Sequence, residues 1–324
     1  MPSIFQRYPK ALAALALLCC AGAAVQAQDA RSDSSLRIAS GPAGKVYELM
    51  ARDMQSVCGA AVPLQSVPSS GGLQNLSLLS ANEAELGIVQ LDVLRDMRSG
   101  DENMLALQMV MPLHNNLLHV ISLTGGSLVD PTVVRGMVLP LTGRSVVLRK
   151  FSDLRGMTVA VVGSAQLTGQ AIDKQLAYKM RFVMADSDDQ ALALLRSGQA
   201  QAIFTLGGWP LPAVARHRAG SGLVLVDYDL PPLAPYLAVK RNYQELDAFN
   251  LRFLAVPNLL VARPFRAGGA MAARVATLQT CLRQHLDALQ EGRYQPGWKE
   301  VKDATLTFGI TPVAAPTAPV ATKR

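Results

Sequence analysis

Apolar positions along this chain recur at two spacings, every second residue and every third or fourth, and the switches between them mark out its elements. Residues 36–39 alternate as a strand, Ser40, Gly41 and Gly44 make a turn, and Tyr47, Met50, Ala51, Met54, Val57 and Cys58 then recur at helical spacing. The same reading predicts a strand over 62–67, a helix over 73–79, a strand over 84–90 and a helix over 92–100. Two apolar strands follow, 104–113 and 117–123, before a Gly- and Pro-punctuated stretch from Gly125 to Arg144 breaks the rhythm and marks a lobe boundary.

A second series starts at Phe151. It predicts a strand over 157–163, a helix over 167–180, a strand over 181–185, a helix over 188–198 and a strand over 201–208. Asp188 and Asp189 suit a helix start, and Gly198 suits its stop. Pro-punctuated strands, 254–263 among them, lead into an amphipathic helix over 271–290. Strands alternating with helices imply an α/β fold with largely parallel sheets and helices on both faces.

Residues 1–27 place Arg7 and Lys10 before an apolar run from Ala11 to Val25 and end Val25-Gln26-Ala27, the pattern of an export signal cleaved after Ala27. The run is short for a membrane span, so the expectation is an exported, periplasmic protein. Cys19 and Cys20 lack the triplet of a lipid anchor and leave with the signal. In an oxidising compartment Cys58 and Cys281 then form either one disulfide or two buried free thiols. Loss of Arg7 and Lys10 lowers the net charge from +7 to +5, and the remaining basic residues are scattered, with no run longer than Arg149-Lys150. Nucleic acid is not indicated as a partner. The tail from Thr311, rich in Pro and Ala, reads as disordered.

The common catalytic signatures are missing. Residues 136–145 space their glycines too widely for a phosphate-binding loop and have Arg144 where that loop needs Lys. His114 and His119 stand five apart without cysteine or carboxylate companions at ligand spacing, so no metal site is expected. Neither a G-x-S-x-G elbow nor a CxxC pair occurs. The chain is therefore read as a non-enzyme without a cofactor. What remains is the turn from Ser40 to Tyr47, where glycines and the free N–H groups of a helix start favour a carboxylate or phosphate.

That turn, together with residues 69–93, resembles the TAXI family of extracytoplasmic solute receptors, which serve tripartite ATP-independent periplasmic (TRAP) transporters. The resemblance is carried by Gly41 to Tyr47, Ser69 to Leu76, Val89 to Asp92, His119-Val120, Asp153 to Val159 and residues 201–214. Lys45 departs from it, standing where glycine is usual, and Gly163 to Gly169 is a loosened form of the family's Gly-Ser-Gly-Thr loop.

The resemblance implies a two-lobe periplasmic-binding-protein fold of type II with a central ligand cleft. Lobe 1 is expected over 28–122 and 235–310, lobe 2 over 123–234 and the tail over 311–324. It further implies a monomer that closes on a small carboxylate, an amino acid or a dicarboxylate such as glutamate or 2-oxoglutarate, and delivers it to a membrane permease. Ser40, Gly41 and Ala43, Ser69, Ser70, Gly71 and Gly72, and Ser164 to Thr168 would donate hydrogen bonds to the ligand, with Tyr47 as a wall and Gln90 orienting a polar group. Asp92 either meets an amino group or caps the next helix; Lys45 either pairs with the ligand or is solvated; Trp209 either closes over the ligand or staples strand to helix. Two rivals remain: a secreted sensor with the same cleft, and a transferase working through Cys58 or Cys281.

Overall fold

The computed structural model describes residues 35–129, 132–134, 137–139 and 143–314. The expected export signal lies outside the described residues, as do residues 315–324 of the tail.

The first half runs β1 (Leu36–Gly41), α1 (Val46–Cys58), β2 (Leu64–Pro68), α2 (Gly72–Ser80), β3 (Leu86–Gln90), α3 (Leu91–Arg98), α4 (Glu102–Leu105) and β4 (Gln108–Leu123). Two short antiparallel ladders follow, β5 (Ser127–Val129) with β8 (Arg144–Val146) and β6 (Thr132–Val134) with β7 (Met137–Leu139). Then come β9 (Thr158–Val162), α5 (Ala165–Leu176), β10 (Arg181–Ala185), α6 (Asp188–Arg196), β11 (Ala202–Gly207), α7 (Pro212–Ala215) and β12 (Leu223–Leu225). The chain ends with β13 (Leu237–Tyr243), β14 (Ala248–Ala262), α8 (Ala270–Gln284) and α9 (Leu286–Glu291), followed by a single 3-10 turn over Pro296–Glu300.

Ten strands form one sheet in the order β10-β9-β11-β4-β14-β3-β1-β2, with β12 beside β4 and β13 beside β14. The pairs built by βαβ units are parallel, as the alternation predicts: β1 with β2 and β3, and β9 with β10 and β11. The centre corrects the largely parallel expectation. β4 and β14 run antiparallel to each other, and β14 is antiparallel to β3 while β4 is antiparallel to β11. Apolar runs buried on both faces read the same in either direction, which is why the pattern missed this.

Two further expectations change. The strands expected over 104–113 and 117–123 are one strand, because Asn115 and Asn116 stay on the ladder opposite Pro257 and Val256; Met104 and Leu105 belong to α4 instead. The helix expected over 271–290 is broken at His285, whose backbone leaves the helical region (φ −100°, ψ 8°) and whose Nδ1 lies 2.9 Å from the Cys281 carbonyl.

Four apolar cores sandwich this sheet. Met50, Met54, Leu278 and Leu282 pack α1 and α8 on one face, and Leu76, Leu79 and Leu94 pack α2 and α3 on the other. Phe151 and Phe204 share a core with Ile172 of α5, and Ile203 shares one with Ala191 and Leu195 of α6. β4 and β14 serve both pairs. Val110, Met111 and Leu260 join the α1 core, whereas Leu117, Ile121 and Ala255 join the α6 core. Packing thus changes hands inside the two long strands, between Leu113 and Leu117 and between Val256 and Leu259.

Cys58 and Cys281 form a disulfide between α1 and α8, across 223 residues of sequence, which decides between the two thiol states left open above. His285 stands close to both sulfurs, a grouping that resembles a metal site, but sulfurs joined to each other offer no thiolates. The tail is ordered further than its composition suggests. The Thr311 carbonyl accepts from Met109 N–H, Val313 N–H donates to the Met109 carbonyl, and Val313 is buried in the α1 core. No helix among the described residues is long and apolar enough to cross a membrane.

Candidate functional site

The ends of β1, β3 and β11 and the starts of α1, α2 and α5 converge on a cleft of about 840 Å3. Each turn has a local cause. Gly41 has φ +105°, which L side chains rarely adopt, and a Cβ there would meet the Tyr47 ring at the close of the same turn. Gly71 has φ 126° and ψ −163°, a conformation open to glycine alone, and it delivers the chain into α2. Gly163 (φ +57°) does the same before Ser164 and α5.

No side chain caps α1, α2 or α5. Their first-turn N–H groups and the positive ends of their dipoles are left to serve the space in front of them. Part of the turn chemistry is already committed: Ser70 N–H donates to Gln74 Oε1 at 2.6 Å, Gly71 N–H to Ser69 Oγ at 3.1 Å, and Gly44 N–H to Glu48 Oε2 at 3.1 Å. The amides of Gly72, Leu73 and Gln74 remain. Gln90 lies beside them, 3.8 Å from where a Gly72 Cβ would stand, and is 2% exposed, yet its Nε2 has no partner among the described residues.

The floor is a polar knot midway along the paired strands β4 and β14. Tyr47 donates its hydroxyl to Asn258 Oδ1, which also accepts from Asn116 Nδ2 at 3.3 Å; Asn258 Nδ2 donates to the His114 carbonyl at 3.1 Å and lies 3.2 Å from His114 Nε2. That last contact makes Nε2 the acceptor and puts the imidazole proton on Nδ1, which has no partner among the described residues. Burial holds His114 at about 4, so it is neutral at pH 7, and burial also raises Tyr47. A similar knot sits beside the α6 core. The Tyr243 hydroxyl accepts from Leu211 N–H at 2.9 Å and faces His119 Nε2 at 2.7 Å, fixing the loop that carries Trp209.

The cleft brings together eight of the residues singled out from sequence: Lys45, Tyr47, Ser70, Gly71, Gly72, Gln90, Ser164 and Trp209. Trp209 is 41% exposed, donates Nε1–H to the Asn242 carbonyl and has Arg241 over its ring at 5.5 Å. The others lie elsewhere. Ser40 is fully buried against Ser66 Oγ (2.7 Å), locking β1 to β2, Gly41 is behind the Tyr47 ring, and Ala43 is exposed outside the cleft. Ser69 is turned inward to Asn75 Oδ1.

Asp92 and Thr168 face each other rather than the cleft: Thr168 Oγ1 donates to Asp92 Oδ2 at 2.6 Å, with the Tyr236 hydroxyl at 3.4 Å. Gln90, not Asp92, holds the cap position of α3, and Asp92 Oδ1 accepts from Val93 N–H at 2.8 Å inside the first turn. Burial raises its carboxyl above the usual aspartate range, and it joins α3 to α5.

Sequence reasoning missed Asn116, Asn258, Gly297 and Glu300. Among the described residues Glu300 is the carboxylate and Lys45 the amine that line the cleft. Its Oε2 accepts from Asn115 N–H at 2.8 Å, and its Oε1 is a loose 3.5 Å from Arg241. A readable signal did exist for Asn258, a polar residue inside the apolar run of 254–263.

This is a two-lobe α/β fold built around a cleft. No family model matches the sequence, and no curated protein matches it. Solved structures do match. Tv2483 bound to L-arginine aligns at 15% identity over 85% of this chain and 93% of that one, with a TM-score of 0.49. The GluR0 ligand-binding core from Nostoc punctiforme in complex with L-glutamate aligns at 12% over 83% and 99%, with a TM-score of 0.47. An ancestral arginine-binding protein bound to arginine aligns at 11% over 83% and 99%, with a TM-score of 0.46. The two-lobe architecture of the present chain stands on its own strand order and cleft.

Gly71→Ala is expected to cost about 1–3 kcal/mol through backbone strain alone, since no atom lies within 4 Å of the new methyl group. Urea denaturation checks this, and a circular dichroism spectrum like that of the parent shows that the strain stays local.

Proposed function

We propose that this chain is a solute-binding receptor that captures a small carboxylate in the cleft by closure of its lobes. The observation that carries the proposal is the convergence of three uncapped helix starts on one cleft beside the unpartnered Gln90 amide. Such a set of donors on glycine turns suits an anion. The motif order from Gly41 to Val214 supports the finer reading: a periplasmic receptor of the TAXI type, exported with cleavage after Ala27, acting as a monomer and handing its ligand to a TRAP permease. On this reading the lobes divide within β4 and β14, where packing changes hands. The Cys58–Cys281 disulfide speaks against the transferase alternative, which needs a free thiol.

Isothermal titration of the mature chain against amino acids, 2-oxo acids and dicarboxylates tests the proposal. At least one member is expected to bind with a fall in the radius of gyration by small-angle scattering, and Gln90→Leu to weaken that member at least about tenfold, the worth of one hydrogen bond to a charged acceptor. Heat from no member of the panel overturns it.

A further inference from the structure

Beside the cleft lies a second cavity of about 680 Å3, and the two share Asn115, Trp209, Pro296 and Glu300 in their walls. Its character is different. The cleft sets backbone and side-chain amides among its apolar side chains, whereas the second cavity sets an apolar wall, Leu113, Leu237, Val239, Pro257, Leu306 and Phe308, beside charged side chains such as Arg241 and Glu300. Trp209, Leu237 and Leu306 are 41, 42 and 48% exposed, three of the nine large apolar side chains that the described residues leave exposed. Scattered singly, exposed apolar residues need no explanation; gathered in a concave surface continuous with a polar cleft, they mark a place for an apolar group.

The partition between the two cavities is thin. Arg241 reaches Glu300 at only 3.5 Å and spreads over the Trp209 ring, so the crossing offers an aromatic face and an aliphatic stem beside a weak ion pair. We infer that the second cavity is the tail subsite of the same binding site. The ligand is then an amphipathic carboxylate, its head on the helix starts of the cleft and an unbranched or aryl-alkyl chain running past Trp209 into the apolar groove. This rests on the carboxylate reading above and narrows it to acids with an extended apolar remainder.

The test uses two homologous series, n-alkanoates from pentanoate to decanoate and their 2-amino counterparts, titrated calorimetrically against the mature chain. In at least one series affinity is expected to rise about three- to fourfold for each added methylene before levelling off, the worth of burying that group. Leu237→Ser combined with Leu306→Ser, both at exposed positions, should flatten that rise. A flat dependence in both series overturns the tail subsite, as does a rise that the double substitution leaves intact, and either result points to another occupant such as a protein partner. Binding of short or polar acids with no gain from chain length removes the tail subsite and leaves the carboxylate reading standing; absence of binding by every acid removes both.

Discussion

Asn258→Ala is expected to lower the unfolding free energy by about 3–5 kcal/mol, because one amide satisfies four groups midway along the paired strands β4 and β14. Asn258 is fully buried. Truncation strands the Tyr47 hydroxyl and the His114 carbonyl and ring, each at about 1–3 kcal/mol when left unpaired, and opens a void under the cleft floor. Water entering from the cleft would recover part of this, which keeps the total below the simple sum. Urea denaturation at pH 7 measures the loss. A change under about 1 kcal/mol would show that the knot is already hydrated and contributes little.

The second large effect is a loss of stability on acidification. Burial holds both His114 and His119 at about 4, against 6.5 for an unconstrained imidazole. Between these values the unfolded chain takes up protons that the folded chain refuses, so stability rises with pH across this window and is lost as pH falls from 6.5 towards 4. At 1.36 kcal/mol per pKa unit the loss is about 3 kcal/mol for each histidine. Below the folded values both states are protonated and this contribution stops changing. Denaturation at pH 7, 5.5 and 4 reads the slope, and imidazole NMR signals identify its source: two should stay flat from pH 8 to 5. Titration of all four histidines near 6.5 would contradict the burial argument.

Much of the fold was legible because βαβ units write themselves locally. Glycine turns, apolar alternation and helical spacing placed β1 to α3 and β9 to β11 within a few residues. What the pattern did not carry was long-range. The joining of two apolar runs into one β4 depends on what lies opposite Asn115 and Asn116, and the antiparallel centre depends on β14, some 140 residues later.

The same division holds at the cleft. The glycine turns and Gln90 could be picked out by their place between strand and helix, whereas Asp92 and Thr168, which look equally well placed, satisfy each other where α3 meets α5. Glu300 and Gly297 are invisible to local reading, since they reach the cleft only because Trp298 anchors the 3-10 turn in the α1 core and Gly297 lies against His114. Asn258 carried a signal of its own, a lone polar residue in an apolar run.

The two long strands have a consequence for motion. β4 and β14 run through both halves of the sheet as a hydrogen-bonded ribbon, their ladder reaching from Leu254–Leu118 to Ala262–Gln108 with register shifts between Pro257 and Leu259 and between Leu260 and Val261. Paired strands twist over a wide range with their bonds intact, so the closure proposed above would wind this ribbon as a torsion spring, with the ladder's own twist setting the angle to which it returns.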